Sequence, residues 1–555
     1  MKNHAMAWLN ELSRLRSGYL CLLFFLINLL IRGWHNDLTA MSRDEPFTLY
    51  FSQLSIHQFV PIILDTNNPP TFEILLHFWS YIFGEDAGAL RWLPTLIMSL
   101  GAIPLFLIGK RIDGNLGAVS VSALYLGSSL LMNFSHLDRA YCVLVAGSLF
   151  MIYYYLKVYE DEHLIYQVLW VIAVLITCSS HYFGWLMVAT QWSIMLLVAD
   201  LRKKILRRIT LSTAFVFLCY LPLGVFLVDR FITTQQEVSS IQAPLDIQIF
   251  NHLLNQFLND HSVTLTLTLV GLFFTIRLLI KRAFFAGFAG LLLCMVLLST
   301  RAELLFSEHP LLNVALVSAL IFSSIGITLH LIRGNLSVYE KAIALWAIIP
   351  LIGTYFISMK MPIFIDRYLC FSIPALLLSA ITLLKWFEVR AIQFVALAVL
   401  MALYIFNIEY TPSYNVDNRD TIYAFQDYHS RSNLSIVGPG YQDVDFTYYF
   451  DNSIFYNGKE HMRDTAGIKL VNEQGYTRFK EGLRRELLRN RILISHDSSN
   501  LQIDTSTVRS VAYYDGNTKL AYPHNGIIEF LTKHYGEPVE RKTFMDVYSI
   551  YRFEK

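Results

Sequence analysis

The sequence predicts a polytopic α-helical membrane protein that ends in an α/β domain outside the bilayer. Mean hydropathy is +0.44 and only 16% of the 555 residues are charged, a composition that does not suit a soluble surface. Apolar runs near the ~18 residues needed to cross a bilayer recur from residue 18 to about residue 408. After residue 408, strand-like and helix-like segments alternate, which indicates a layered α/β domain.

Thirteen apolar runs are predicted to span the membrane. They lie at residues 18–33, 88–109, 116–133, 141–158, 164–179, 183–200, 209–228, 262–280, 283–300, 311–332, 340–358, 367–385 and 391–408. Lys and Arg cluster before the first run and in every second loop after it, as at Lys110 and Arg111 and at Lys281 and Arg282. Because short cytoplasmic loops carry the excess of Lys and Arg, we predict a cytoplasmic N-terminus and an external C-terminus in the inner (plasma) membrane.

The first apolar run is predicted to remain as an anchor, because "LLIRGWHND" at its end offers no small-residue cleavage site. All six cysteines fall in apolar segments, so the sequence predicts no disulfide framework. No nucleic-acid partner is predicted.

Two regions outside the spans have their own patterns. The stretch "YTPSYNVDNRD" breaks the apolar pattern and divides the chain into a membrane domain, residues 1–408, and an extracytoplasmic domain, residues 409–555. In the second domain, strands are predicted at 434–440, 491–497 and 546–554 and helices at 475–490 and 526–536. The first external loop, residues 34–87, is grouped with the membrane domain and predicts amphipathic helices at 45–60 and 67–84.

Ionisable residues on the predicted external side sit mostly at span ends. An arginine and an aspartate are adjacent three times, at Arg43/Asp44, Asp138/Arg139 and Asp366/Arg367. We expect these side chains to converge on one cavity that holds an anion site and a base. The planar fork of arginine suits a phosphate, and a lipid-linked phosphate presents its headgroup at this depth. A carboxylate there can take a proton from an attacking hydroxyl, and Asp44 is the predicted base.

The order of these motifs resembles that of the GT-C glycosyltransferases. The motifs are "DE" after the first span, "NNPP" before a helix, "RWLP", "DRAY" and "PIFIDRYL". They are most similar to the bacterial members of glycosyltransferase family 39, relatives of the protein O-mannosyltransferases and the lipid A aminoarabinose transferases. The resemblance implies inverting transfer of a monosaccharide from a polyprenyl-phosphate donor to a hydroxyl acceptor, on protein, lipid or glycan, at the external face.

The resemblance also implies roles for individual residues. Asp44 is the catalytic base with Glu45 beside it, and Asp138 takes the place of an acidic residue that helps some relatives to bind a divalent metal. No cofactor is required by the sequence, although a divalent metal is compatible with it. Arg139 and Arg367 would hold the donor phosphate. Lys360 and Arg91, at predicted external span ends, are further predicted phosphate-binding residues. Acceptor or loop positions are Asn68, Pro69, Pro70, His181 and Tyr182, with Asn68 where many members carry His.

Simpler interpretations stay open for these residues. The Asp138/Arg139 and Asp366/Arg367 pairs also fit self-neutralised caps at span ends, and Arg91 also fits an interfacial cap. His181 and Tyr182 also fit interface anchors.

A different class of protein also places charges in a polytopic bundle. A transporter, or a translocase of a lipid-linked substrate with a charged external vestibule, is the alternative function. It predicts paired halves with Gly- or Pro-interrupted helices near mid-membrane, whereas the charges here lie at one predicted face. A third hypothesis is that the tail is a sensor or assembly module on a degenerate membrane part.

Overall fold

The structure of the protein is a computed structural model. It describes residues 17–34, 36–37, 40–41, 44–52, 54–64, 68–238, 247–280, 284–299, 310–358, 361, 363–408, 418–451, 453–454, 475–501, 503–544 and 547–555. These residues fall into two compact units. The first unit lies within Met1–His35, Pro94–His136 and Ala140–Tyr410, and the second lies within Asn36–Leu93, Leu137–Arg139 and Thr411–Lys555.

Helices make up the described part of the chain before residue 409. They are α1 (Ser17–Gly33), α2 (Glu45–Ser52), α3 (Ile56–Leu64), α4 (Thr71–Phe83), α5 (Ala87–Leu126), α6 (Ser129–Ser135), α7 (Tyr141–Glu160), α8 (Leu164–Ser180), α9 (Gly184–Leu197), α10 (Ala199–Val238), α11 (Ile247–Phe257), α12 (His261–Ile280), α13 (Phe284–Ser299), α14 (Pro310–Arg333), α15 (Val338–Ile357), α16 (Asp366–Leu369), α17 (Ile373–Lys385) and α18 (Arg390–Phe406). A 3₁₀ turn, Cys370–Ser372, joins α16 to α17.

The composition of these helices confirms a multi-pass membrane protein. Within the described residues, seven segments are long and apolar enough to cross a bilayer: Ala87–Leu126, Tyr141–Glu160, Ala199–Val228, His261–Ile280, Ala315–Arg333, Val338–Ile357 and Asp366–Lys385. Four shorter helices, α1, α8, α9 and α18, are also apolar. The total of thirteen spans and the orientation of the termini stay predictions.

The second and third predicted spans differ most from the structure. Helix α5 is interrupted at Asp113 and Gly114, where Gly114 has a φ of 60° that favours glycine, and it resumes until Leu126. The predicted run 116–133 therefore ends early. Ser128 begins the separate short helix α6, and its side chain accepts a hydrogen bond from the Leu131 N–H. An apolar run alone does not reveal this break, because Ser128 is a cap that interrupts helix geometry rather than hydropathy.

The C-terminal residues form an α/β domain, as predicted. Its helices are α19 (Arg419–Ser430), α20 (Asp443–Phe450), α21 (Gly475–Arg489), α22 (Thr518–Ala521) and α23 (Ile527–Tyr535), and its strands are β1 (Leu434–Gly438), β2 (Ile492–Ile494), β3 (Ser510–Asp515), β4 (Glu540–Phe544) and β5 (Tyr548–Glu554). The strand order is β2-β1-β3-β5-β4. Strand β1 runs parallel to β2 and β3, whereas β5 runs antiparallel to β3 and β4.

A hydrophobic core packs on each face of this sheet. Alternate residues of each strand point into opposite cores. Val437 and Tyr514 belong to one core, and their chain neighbours Ile436 and Tyr513 belong to the other. The Ile436 core is closed by α23 through Ile527, Leu531 and Tyr535.

The Val437 core contains side chains of the first loop. Tyr50 and Phe51 of α2 and Phe59 of α3 are buried in it with Phe425 of α19 and Leu487 of α21. The sequence-derived boundary at residue 408 grouped this loop with the spans, whereas this hydrophobic core joins it to residues after 418. Side chains of the loop are thereby packed in the same core as strands of the C-terminal sheet.

Candidate active site

The innermost part of the site is an ion pair between Glu45 and Arg91. Arg91 Nε and Nη2 each donate to a different carboxylate oxygen of Glu45 at 3.0 Å, and both side chains are fully buried. Arg91 also donates to the carbonyls of Asn36 and Ala40, each at 3.0 Å. A bidentate pair of this kind fixes both partners, so it holds the start of α2 against α5.

Asp138 lies against this ion pair. Its backbone N–H donates to Glu45 Oε1 at 3.1 Å, and its side chain is fully buried. Burial raises the pKa of Asp138 well above its ordinary value, the negative charge of Glu45 raises it further, and Arg91 lowers it in part. Among the described residues neither carboxyl oxygen has a hydrogen-bond partner. The protonated acid is therefore favoured at this position.

Arg139 is the cation of the outer part of the site. Its Nη1 donates to Thr48 Oγ1 on α2 at 2.9 Å, and its Nη2 lies 4.0 Å from Asp44 Oδ2. The Arg139 side chain is only 13% exposed, whereas that of Asp44 is 49% exposed. A carboxylate open to solvent thus stands beside a largely buried guanidinium. This arrangement can accept a proton and bind an anion side by side.

Glu73, which the sequence reasoning did not select, is a further buried acid. It lies in the first turn of α4, is only 3% exposed, and its Oε2 has no hydrogen-bond partner within the part of the chain described. Burial raises the pKa of Glu73 to about 7, while Arg139 and the residue's own backbone N–H lower it in part. The signal in the sequence is a single carboxylate inside the apolar stretch "TFEILLHFW".

The predicted proline pair positions this acid. Pro69 and Pro70 are buried, and the Pro70 carbonyl accepts the first helical bond of α4 from the Ile74 N–H at 2.9 Å. Proline suits such a start, since it lacks the N–H that a first turn leaves unpaired. Asn68 precedes the pair and is half-buried.

The remaining predicted site residues belong to the first unit or lie outside the described residues. Arg367, in α16, is exposed, and its guanidinium lies 5.5 Å from the ring centre of Tyr368. Tyr368 in turn contacts His181, at 5.8 Å between ring centres, and stacks on Phe183 at 4.8 Å. Tyr182, which stands between His181 and Phe183 in the sequence, is half-buried. The loop after α8 and the residues after α15 thus meet.

Arg43 and Lys360 fall outside the described residues.

The fit of the site to a divalent metal is poor. Asp138 has free carboxyl oxygens, but Glu45 is occupied by Arg91, and no three His, Cys, Asp or Glu side chains group as a metal site in the described ranges.

Part of the chain matches a known protein family. Residues 67–226 match the family model described as dolichyl-phosphate-mannose-protein mannosyltransferase. Over these residues the match confirms the resemblance predicted from the motifs, and it includes Asn68, Arg91, Asp138 and Arg139. No curated protein matches the chain.

Several solved structures are similar to the chain at low identity. ArnT from Cupriavidus metallidurans in the apo state is 12% identical, with a TM-score of 0.44, and the alignment covers 97% of this chain and 98% of that one. ArnT from the same organism bound to undecaprenyl phosphate is 11% identical, with a TM-score of 0.42 and coverages of 97% and 98%. The Archaeoglobus fulgidus oligosaccharyltransferase in complex with Zn and sulfate is 14% identical, with a TM-score of 0.42 and coverages of 92% and 69%. Likenesses this distant do not assign an activity.

Proposed function

We propose that this chain is a GT-C type glycosyltransferase that moves a monosaccharide from a polyprenyl-phosphate donor to a hydroxyl acceptor at the external membrane face. One observation carries the proposal: the half-exposed carboxylate of Asp44 lies 4.0 Å from the guanidinium of Arg139. Transfer from a phosphate-linked sugar needs a base for the acceptor and a cation for the leaving group, and these two side chains supply both.

The reaction follows from these two roles. The acceptor oxygen forms a bond to the anomeric carbon as the bond between that carbon and the phosphate oxygen breaks. The electron pair of the broken bond stays on the phosphate, and the hydroxyl proton passes to Asp44. Arg139 stabilises the negative charge that grows on the departing polyprenyl phosphate. An ionised phosphate needs no general acid to leave, so the two-carboxylate arrangement of glycoside hydrolases is not required.

The inner residues organise this site. Arg91 was predicted to bind the donor phosphate, but its guanidinium donates to Glu45 and to two backbone carbonyls. We assign Arg91 and Glu45 to positioning α2, which carries Thr48 and follows Asp44. Arg367 and Lys360 stay predicted phosphate ligands, and His181, Tyr182 and Asn68 stay predicted acceptor or loop residues.

The family match supports the proposed transfer from a lipid-phosphate sugar. The description of the matching family names a polyprenol-type phosphate sugar donor and a protein acceptor for its members.

Transfer of label tests the proposal. The purified chain is incubated with a panel of radiolabelled polyprenyl-phosphate sugars and membrane extract, and the label is located by extraction and electrophoresis. We expect label from at least one donor to reach an acceptor with the wild type and with Asp37→Asn, a change of an exposed carboxylate in the same loop. Asp44→Asn should abolish transfer. Labelling that persists with both Asp44→Asn and Arg139→Ala would contradict the proposal.

A further inference from the structure

The first unit contains an apolar cavity of about 380 Å³, lined by α12, α13, α14, α15 and α17. Its volume lies within the range of ligand pockets, roughly 300–1,000 Å³. The lining follows α12 from Thr264 to Leu278 and α15 from Glu340 to Ile352. At 1.5 Å of rise per residue these stretches are roughly 18–21 Å long, so the cavity is long and narrow.

Hydroxyl groups in the lining are turned back on their own helices. Thr268 and Ser324 each donate to the carbonyl four residues earlier at 2.7 Å, and Thr382 does the same at 2.9 Å. A buried water needs two to four polar partners, and hydroxyls used in this way offer few of them. A hydrocarbon chain needs none and gains from leaving water. The middle of the cavity therefore suits a hydrocarbon chain.

One end of the cavity is closed by α11 and the residue after it. Phe250, Leu254 and Leu258 line this end and are buried. Phe250 also packs against the rings of Tyr355 and Phe364, at 5.5 and 5.8 Å between ring centres. A lipid whose chain fills the cavity would therefore present its headgroup at the opposite end.

The opposite end carries an excess of positive charge. Glu340 lines the cavity there, and its Oε1 accepts a hydrogen bond from Lys385 Nζ at 2.8 Å. Lys341 Nζ donates to the Ile332 carbonyl at 3.3 Å, so this side chain reaches from α15 to the end of α14, where Arg333 is exposed. The three cations face one carboxylate. Basic residues placed in this way at the edge of a bilayer attract anionic lipid headgroups.

We infer that this cavity binds one acyl chain of an anionic phospholipid, whose phosphate lies beside Lys341, Lys385 and Arg333. The lipid belongs to the leaflet that is predicted to face the cytoplasm. The inference does not depend on the proposed function, since the proposed donor presents its phosphate at the external face. The acyl chain fills the space between helices of the folded protein, so the lipid binds the folded state and stabilises it.

Native mass spectrometry of the purified full chain in a non-ionic detergent tests this inference. Phosphatidylglycerol is the anionic probe, and phosphatidylcholine is the probe without net charge. We expect the wild type to bind one phosphatidylglycerol more tightly than any further copy. We expect its affinity for this first copy to exceed that for phosphatidylcholine about 25-fold, or about fivefold for each of two net positive charges.

A variant that fills the cavity tests where the chain lies. Gly271 lines the cavity, and a Cβ added there would meet the Cys294 sulfur at 3.8 Å, which is ordinary van der Waals contact. Gly271→Phe should therefore fold and lose the tight site. Gly224→Phe is the matched control, because it adds the same ring on α10 at a position where a Cβ has open space. It should bind phosphatidylglycerol as the wild type does.

A second pair of variants tests the headgroup. Arg333→Gln combined with Lys341→Gln should weaken phosphatidylglycerol binding about 25-fold, because two cations are removed. Arg202→Gln combined with Lys203→Gln removes two exposed cations near the start of α10 and should leave the affinity unchanged. These surface changes decide the test if Gly271→Phe does not fold.

Four results overturn the inference. The first is equal affinity of the wild type for phosphatidylglycerol and phosphatidylcholine. The second is equal binding by Gly271→Phe and Gly224→Phe, which would place the chain outside the cavity. The third is equal weakening by the two charge variants, which would show general attraction to a basic face. The fourth is displacement of phosphatidylglycerol by undecaprenyl phosphate, one for one, which would assign the cavity to a donor chain and leave the proposed function intact.

Discussion

Arg91 and Glu45 form a bidentate ion pair with both side chains fully buried, across 46 positions of the chain. Glu45 is the first residue of α2 and directly follows Asp44, so this pair fixes the position of the proposed base. Because two charges removed from water are stable only as a pair, loss of one partner leaves the other uncompensated.

Arg91→Met tests this dependence. We expect the substitution to lower the free energy of unfolding by about 3–5 kcal/mol, because it leaves the Glu45 carboxylate buried without its partner. Thermal unfolding of the purified protein in detergent measures the effect. Arg431→Met, which breaks a surface ion pair with Glu540, should leave the unfolding midpoint unchanged. Equal midpoints for Arg91→Met and wild type would contradict a positioning role for the inner pair.

Because the pKa of Glu73 is raised in the folded protein, the free energy of unfolding should fall as pH rises. Its pKa is about 7 in the folded protein against 4.5 as its ordinary value, so the folded state binds the proton more tightly. The contribution of Glu73 to the free energy of unfolding is fully present below about pH 4.5. It falls by about 3 kcal/mol as pH rises through 7. Glu73→Gln removes this titration, so the variant should be more stable than wild type at pH 8 and similar at pH 4.5. Denaturation at these pH values checks it, and a stability difference that does not change with pH would contradict it.

Replacing Arg139 with alanine or with lysine should lower donor affinity to different extents. Arg139→Ala should weaken donor binding by about 1.5–3 kcal/mol, the value of a hydrogen bond to a charged group, which is roughly ten- to a hundredfold in the dissociation constant. Arg139→Lys should recover only part of this, since a lysine keeps the charge but loses the planar fork. Arg541→Ala, on the exposed strand β4, serves as the control. Donor binding to Arg139→Ala at wild-type affinity would show that the phosphate lies elsewhere.

The shared core of the first loop and the sheet gives a prediction of its own. Phe51→Ala should cost about 3–5 kcal/mol, because it removes a large side chain from the core beneath the sheet. Hydrogen exchange should then show lost protection in β1 and β3 as well as in α2. Phe78→Ala, at a side chain that is 53% exposed, should leave exchange in the strands unaltered. Loss of protection confined to α2 would show that loop and sheet do not fold as one core.

The apolar periodicity of this chain predicted the membrane class, the C-terminal α/β domain and half of the described helices and strands of that domain. Strands near 434 and 492 and helices near 475 and 527 were predicted because their hydrophobic patterns are local. Strands β3 and β4 and helices α19, α20 and α22 were missed. Strand β4 was missed because its sequence, "ERKTF", is that of a polar edge strand. The packing of Phe51 and Phe59 beside Phe425 was missed because hydropathy shows that a side chain is buried but not what buries it.

The acidic residues at the site were predicted unevenly for the same reason. Asp44 and Asp138 stood out because each is adjacent to an arginine. Glu73 did not, because Arg139, whose charge acts on it, is 66 positions away along the chain. That Arg91 pairs with Glu45 also depends on tertiary structure, since an arginine at a span end fits a phosphate ligand equally well by sequence.

The rate constant for sugar transfer in a single turnover, with Asp44→Asn saturated with donor, tests the central claim most directly. The account predicts that the rate constant falls at least about a hundredfold, as removal of a general base does, while the donor dissociation constant stays within about twofold of the wild type. Transfer by Asp44→Asn at the rate of wild type and Asp37→Asn would contradict it.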